Sequence, residues 1–125
     1  MGKLTLNYGL LKILNLKKNN ETVAVPNAFK KAVDENNIRG MRIMLKNSLL
    51  VDHTFSEADS MLNYAKGVSG LFDDQNDKHM VIVNDSSKWD DNYMNSVMVD
   101  IIHNFTHERW EHLKKVVRKL HPANK

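Results

Sequence analysis

Apolar positions recur at helical spacing over most of this chain. After Pro26, Asn27 offers a helix cap, and Ala28, Phe29, Ala32 and Val33 form the inner side of a short helix ending at Asp34-Glu35-Asn36-Asn37. Ile38, Met41, Leu45 and Leu49 then follow at intervals of three and four, the spacing of one helical face. Thr54 and Glu57 have the pattern of a capping box. It opens a third helix carrying Phe55, Ala58, Met61, Leu62 and Ala65, closed by Gly67 and Gly70.

Residues 71–90 read as a polar loop interrupted by Met80-Val81-Ile82-Val83. That run predicts a short buried strand or a turn plugging the core, facing inward in either case. As a strand it needs a mate, and pairing of 22–25 with 80–83 would supply a minimal two-stranded sheet. Ser87 and Asp90 signal another cap, followed by the apolar face Met94, Val97, Met98, Ile101, Ile102 and Phe105. A second stripe, Leu113, Val116, Val117 and Leu120, comes after the polar interruption Thr106-His107-Glu108-Arg109. One helix over 91–120 would be about 45 Å long, against a diameter of about 36 Å for a domain of this size. The chain therefore breaks near Asn104–Thr106, or its end protrudes to meet another subunit; the break is the preferred reading. Residues 4–25 fit a helix over 5–17 or a hairpin built from Leu14, Leu16, Val23 and Val25. The fold class expected is mainly α, a compact bundle of four or five helices in a single domain over 1–125. Residues 1–25 form an N-terminal element of undecided type, and 121–125 a flexible tail.

Composition narrows the class. With 125 residues, 42% apolar and 26% charged, the chain suits one globular core. The absence of Cys excludes disulfides, thiolate zinc sites and a Cys nucleophile. No apolar run approaches the roughly 20 residues of a membrane span and no signal-peptide pattern opens the chain, so a cytoplasmic location is expected. Charge is segregated: residues 1–51 hold nine Lys/Arg and three acids, 52–100 three Lys and ten acids, 101–125 six Lys/Arg and two Glu. Such an alternation can neutralise itself across the fold or face a polar partner.

Asp100, His103, His107 and Glu111 share one side of a helix if that helix is continuous, and imidazole with carboxylate at this spacing can ligate zinc. That side lies opposite the apolar stripe and would face water, so a solvated polar face explains it better and no metal or other cofactor is expected. His107-Glu108 with His112 misses the zincin spacing by one residue. The acids at 73–85 fail the calcium-loop pattern, with Lys78 where Gly is needed and Asn84 where Glu is needed. No phosphate loop or nucleophile elbow is present, and a metal-dependent protein or enzyme ranks third among the readings.

Second comes a DNA-binding accessory factor. Residues 27–50 could form a helix-turn-helix-like pair with Arg39, Arg42 and Lys46 reaching the nucleic acid. Its turn carries two acids and lacks the usual Gly. The leading reading is a non-enzymatic interaction or regulatory protein that binds a protein partner, or itself, through the last helix. Trp110 and Val117 would form an apolar shoulder flanked by Arg109 and Lys114, the composition of an interface anchor; the alternative is that the stripe packs internally. Seven Met could serve an adaptable surface, though Met41, Met44, Met61, Met94 and Met98 sit where gap-filling is expected.

Residues 40–52 running into the 55–65 helix, with Asn104-Phe105-Thr106-His107-Glu108-Arg109 and His112-Leu113-Lys114-Lys115-Val116, resemble small bacterial helical proteins of unassigned function, several of them from mobile elements. The resemblance implies a helical fold and a bacterial origin; it carries no catalytic motif and no site residue.

Overall fold

In a computed structural model, residues 24–122 are described. Five helices follow in order: α1 (Asn27–Asp34), α2 (Ile38–Val51), α3 (Ser56–Tyr64), α4 (Asp91–His103) and α5 (His107–Leu120), with a 3-10 turn at Ser86–Lys88. The readings made for residues 1–23 and beyond 122 fall outside the described residues.

The second helix is the hub, packed against each of the other four. Its stripe Met41, Leu45 and Leu49 is fully buried in one core cluster with Phe29 from α1, Ala58 and Met61 from α3, Ile101 from α4 and Leu113, Val116 and Val117 from α5. Asn37 caps it, its Oδ1 accepting from the Gly40 amide at 2.9 Å. A Cβ at position 40 would lie 2.6 Å from that Asn37 side chain, so a residue with a side chain there would shift the cap from its present position. The turn from α1 is closed by Asn36 at φ 54, a left-handed conformation that Asn tolerates in place of Gly.

The corner from α2 to α3 differs from the capping box expected of Thr54 and Glu57. Asp52, which ends α2, also starts α3: one carboxylate oxygen accepts from the Thr54 amide (3.0 Å) and hydroxyl (2.6 Å), the other from the Glu57 amide (2.9 Å). Phe55 turns left-handed at φ 67 and buries its ring, which brings the Glu57 amide to an ionised acceptor instead of the Thr hydroxyl. The Asp52 carboxyl is held below the usual aspartate range, first by the Thr54 hydroxyl and then, against some burial, by the amides of Glu57, Thr54 and Ser56.

The long helix over 91–120 is broken where the length argument placed the break. Asn104 ends α4, and Thr106 caps α5 with its hydroxyl accepting from the Arg109 amide at 3.1 Å. The cap of α4 itself is Asp90, accepting from the Tyr93 amide at 2.8 Å, while Ser87 lies in the 3-10 turn.

Between α3 and α4 runs an irregular segment, residues 65–90, which straps the α4–α5 junction. Two buried arginines hold it. Arg42 donates to the carbonyls of Gly70 (3.3 Å), Leu71 (3.1 Å) and Ile102 (3.0 Å) and pairs with Asp73 at 3.2 Å. Arg109 donates to Asn104 Oδ1 (2.6 Å) and to the carbonyls of Asp77 (2.8 Å) and Met80 (2.6 Å). Asp73 and Phe105 bond reciprocally through amide and carboxylate or carbonyl, and Asn104 receives the Asp77 amide.

No strand exists among the described residues, so the sheet expected from 22–25 and 80–83 is not seen. Nor does Met80–Val83 face inward as a unit: Val81 is 73% exposed. Side chains take the ladder's place, since Arg109 holds the Met80 carbonyl, the Tyr93 hydroxyl accepts the Val83 amide and Trp89 Nε1 donates to the Val83 carbonyl.

Candidate functional site

The apolar shoulder expected on the last helix is not at the surface. Trp110 is 2% exposed, Val117 is fully buried and Arg109 is the strap's clamp. The stripe is no wider than the chain can hide: Leu113, Val116 and Val117 are fully buried beside Trp110. Trp110 packs against Phe105 at 5.4 Å between centroids, and its enclosed Nε1 makes no hydrogen bond among the described residues. Lys114 alone of the four expected contacts reaches the surface, half-buried with its Nζ 3.2 Å from the Glu111 carboxylate.

The nucleic-acid set is divided as well. Arg39 is exposed, Lys46 is half-buried and bonds Asn47 Oδ1 at 2.9 Å, and Arg42 is turned inward onto the strap. Four of the five donors of Arg42 are on three carbonyls and a carboxylate and the residue is 8% exposed, so this guanidinium is committed inward and not to phosphate. The metal set fails at the helix break: Asp100 and His103 end α4 while His107 and Glu111 start α5, so the spacing no longer shares a face. No group of three or more His, Cys, Asp or Glu placed to hold a metal ion exists among the described residues. Met41, Met61, Met94 and Met98 are core residues.

What the fold does open is a cleft of about 420 Å³ between α3, the first residues of the strap and α5. One wall is Asp59, Leu62, Asn63 and Lys66, and the other His107, Trp110, Glu111 and Lys114. Each set has the i, i+3, i+4, i+7 spacing of a helical face. Ala65, Val68, Leu71 and Phe72 floor the cleft between the two walls. The His107 ring stacks on Phe72 with centroids 3.7 Å apart and planes at 7°. That pair forms an end wall, because both residues also border a neighbouring cleft of about 270 Å³ lined by Asp73, Asp74, Asn76, Thr106 and Glu108.

An apolar floor with charged side chains of both signs around the mouth can bury one or two apolar groups and orient polar ones beside them. Sequence spacing carried half the signal, the two helical faces; their apposition depends on the strap, whose path had no periodic signature. No helix among the described residues is long and apolar enough to cross a membrane. The chain matches no protein-family model, no curated protein and no solved structure, so the reading of this cleft rests on its residues alone.

Proposed function

We propose that this protein is a non-enzymatic interaction module that receives an apolar side chain of a partner protein in the cleft between α3 and α5. The single supporting observation is the cleft: about 420 Å³, apolar at the floor, charged at the mouth. Pockets that bury ligands or anchor residues commonly span about 300–1,000 Å³, and protein interfaces place large apolar anchors in such pockets inside a polar rim. The last helix remains the contributing element, with the contact residues revised. Leu62, Val68 and Phe72 would meet the anchor over Trp110, while Lys66, Glu111 and Lys114 select the charges flanking it.

The test is selection of peptides from a random displayed library on the full chain, followed by mapping of amide shifts. Binders should carry one Leu, Phe or Trp anchor, shift the amides of Leu62, Val68 and Phe72, and bind at least about tenfold more weakly to Leu62→Glu. Leu62 is half-buried at the cleft wall and also packs against the core, so the unfolding midpoint of the variant is measured beside its affinity, and Lys114→Glu at the same cleft serves as a second variant. Peptides whose shifts fall elsewhere would refute the reading, as would affinity unchanged by Leu62→Glu. Mass that grows with concentration in sedimentation and is abolished by the same variant would identify the occupant as a second copy.

A further inference from the structure

Tyr93, His112 and the end of the strap share a chain of hydrogen bonds. The Val83 amide donates to Tyr93 Oη at 2.9 Å, and Tyr93 Oη lies 2.8 Å from His112 Nε2. The phenol has one hydrogen, and its oxygen already accepts from Val83. The ring with its proton on Nδ1 gives each group in this chain a partner: the phenol accepts from Val83 and donates its hydrogen to the lone pair of His112 Nε2, and we assign that arrangement. The Val83 carbonyl is meanwhile bound by Trp89 Nε1 at 2.7 Å. Trp89 and Tyr93 both meet the His112 ring nearly edge-on, at 5.3 Å and 5.9 Å between centroids, leaving it 6% exposed.

We infer that this arrangement is an acid-released latch, in which protonation of His112 at Nε2 frees the Val83–Trp89 end of the strap. A proton on Nε2 turns the acceptor into a second donor facing Tyr93 Oη and leaves the phenol hydrogen without its acceptor. The imidazolium is also enclosed. On its own helix it faces Arg109 and Lys115, which oppose a further positive charge, and Glu108, which favours one. The neighbours from the other elements are Tyr93 on α4 and Trp89 on the strap, and Lys119 lies over the outer Trp89 ring at 5.9 Å while its ammonium bonds the Ser86 carbonyl. The imidazolium gains hydration only if Trp89 and Tyr93 part, and both backbone groups of Val83 then lose their partners together. Burial foremost, then Lys115 and Arg109, holds the His112 pKa below the ordinary 6.5. The stability of the closed latch is thus complete above the ordinary value and is lost as pH falls from there through the folded value. The device is independent of the cleft, which lies at the other end of the strap.

Amide exchange on the full chain, corrected for intrinsic rates, tests it. The Val83 amide should exchange at least about tenfold faster at about pH 5 than at about pH 7.5, while the Leu45 amide in α2 stays better protected than Val83 at both values. His112→Gln, which cannot titrate, should remove the pH dependence, and Tyr93→Phe should leave Val83 poorly protected at both values. Protection of Val83 that does not change with pH would overturn the latch, as would the same midpoint in His112→Gln. If that variant does not fold, the His112 Cε1 proton resonance of the unaltered chain decides. A midpoint below 6.5 that coincides with the Val83 change supports the latch, and any other midpoint overturns it.

Discussion

Arg42 and Arg109 act by shape as much as by charge. Each guanidinium spreads rigid donors over several acceptors on two elements, which a lysine's single ammonium cannot do. Replacing Arg42 by Met leaves the Gly70, Leu71 and Ile102 carbonyls and the Asp73 carboxylate without that partner. We expect Arg42→Met to lose about 3 kcal/mol in urea unfolding, Arg42→Lys to recover little of it, and Arg39→Met to stay within about 0.5 kcal/mol of the unaltered chain. In the sequence the two arginines of α2 look alike. The signal that separates them is spacing: Ile38, Arg42, Leu45 and Leu49 also recur at three and four, placing Arg42 on the edge of the buried face and Arg39 off it. What Arg42 meets there was not legible, because its partners lie 28 to 60 residues away.

At the scale of elements, the corners were legible in kind and less so in their donors. The break at Asn104–Thr106 follows from helix length against domain diameter, together with a Thr at the required place. The Thr54–Glu57 pattern marks the right corner, yet Asp52 makes the cap, because burial of Phe55 sets the local backbone and a capping motif does not encode that. Asp52→Ala should therefore lose about 1 kcal/mol at neutral pH, more than Thr54→Val. Because the folded Asp52 pKa is depressed, its contribution is present above the ordinary value of 3.8 and fades as pH falls through the folded one. Unfolding of the Asp52→Ala variant and of the unaltered chain should converge towards about pH 2. Convergence at higher pH would point to another acceptor.

For the whole molecule, the strap decides what is surface. A 26-residue stretch with only a 3-10 turn in it is long for a compact domain, and such stretches persist when many bonds hold them. Here the bonds converge on the α4–α5 junction, so the helix break and the strap stabilise each other. Removing Arg109 should loosen both. In Arg109→Met we expect the Asp73 and Asp77 amides to exchange at least about tenfold faster, with the Leu45 amide unchanged. Equal loss at all three would mean that Arg109 supports the global fold and not the strap. The same strap lines the cleft beside Trp110, so the concave surface of the proposed interface depends on it.

Local physics written in the chain, namely apolar periodicity, capping residues and the limit on helix length, was enough to specify the helices over 27–120 and the point where the last two part. Which polar groups lie inside, and where the surface is concave, depended on contacts between segments far apart along the backbone. Periodicity reports only which side of a helix avoids water. It does not say whether a neighbouring helix, a strap held by two guanidinium groups or a partner provides the cover, and only the tertiary arrangement makes that choice.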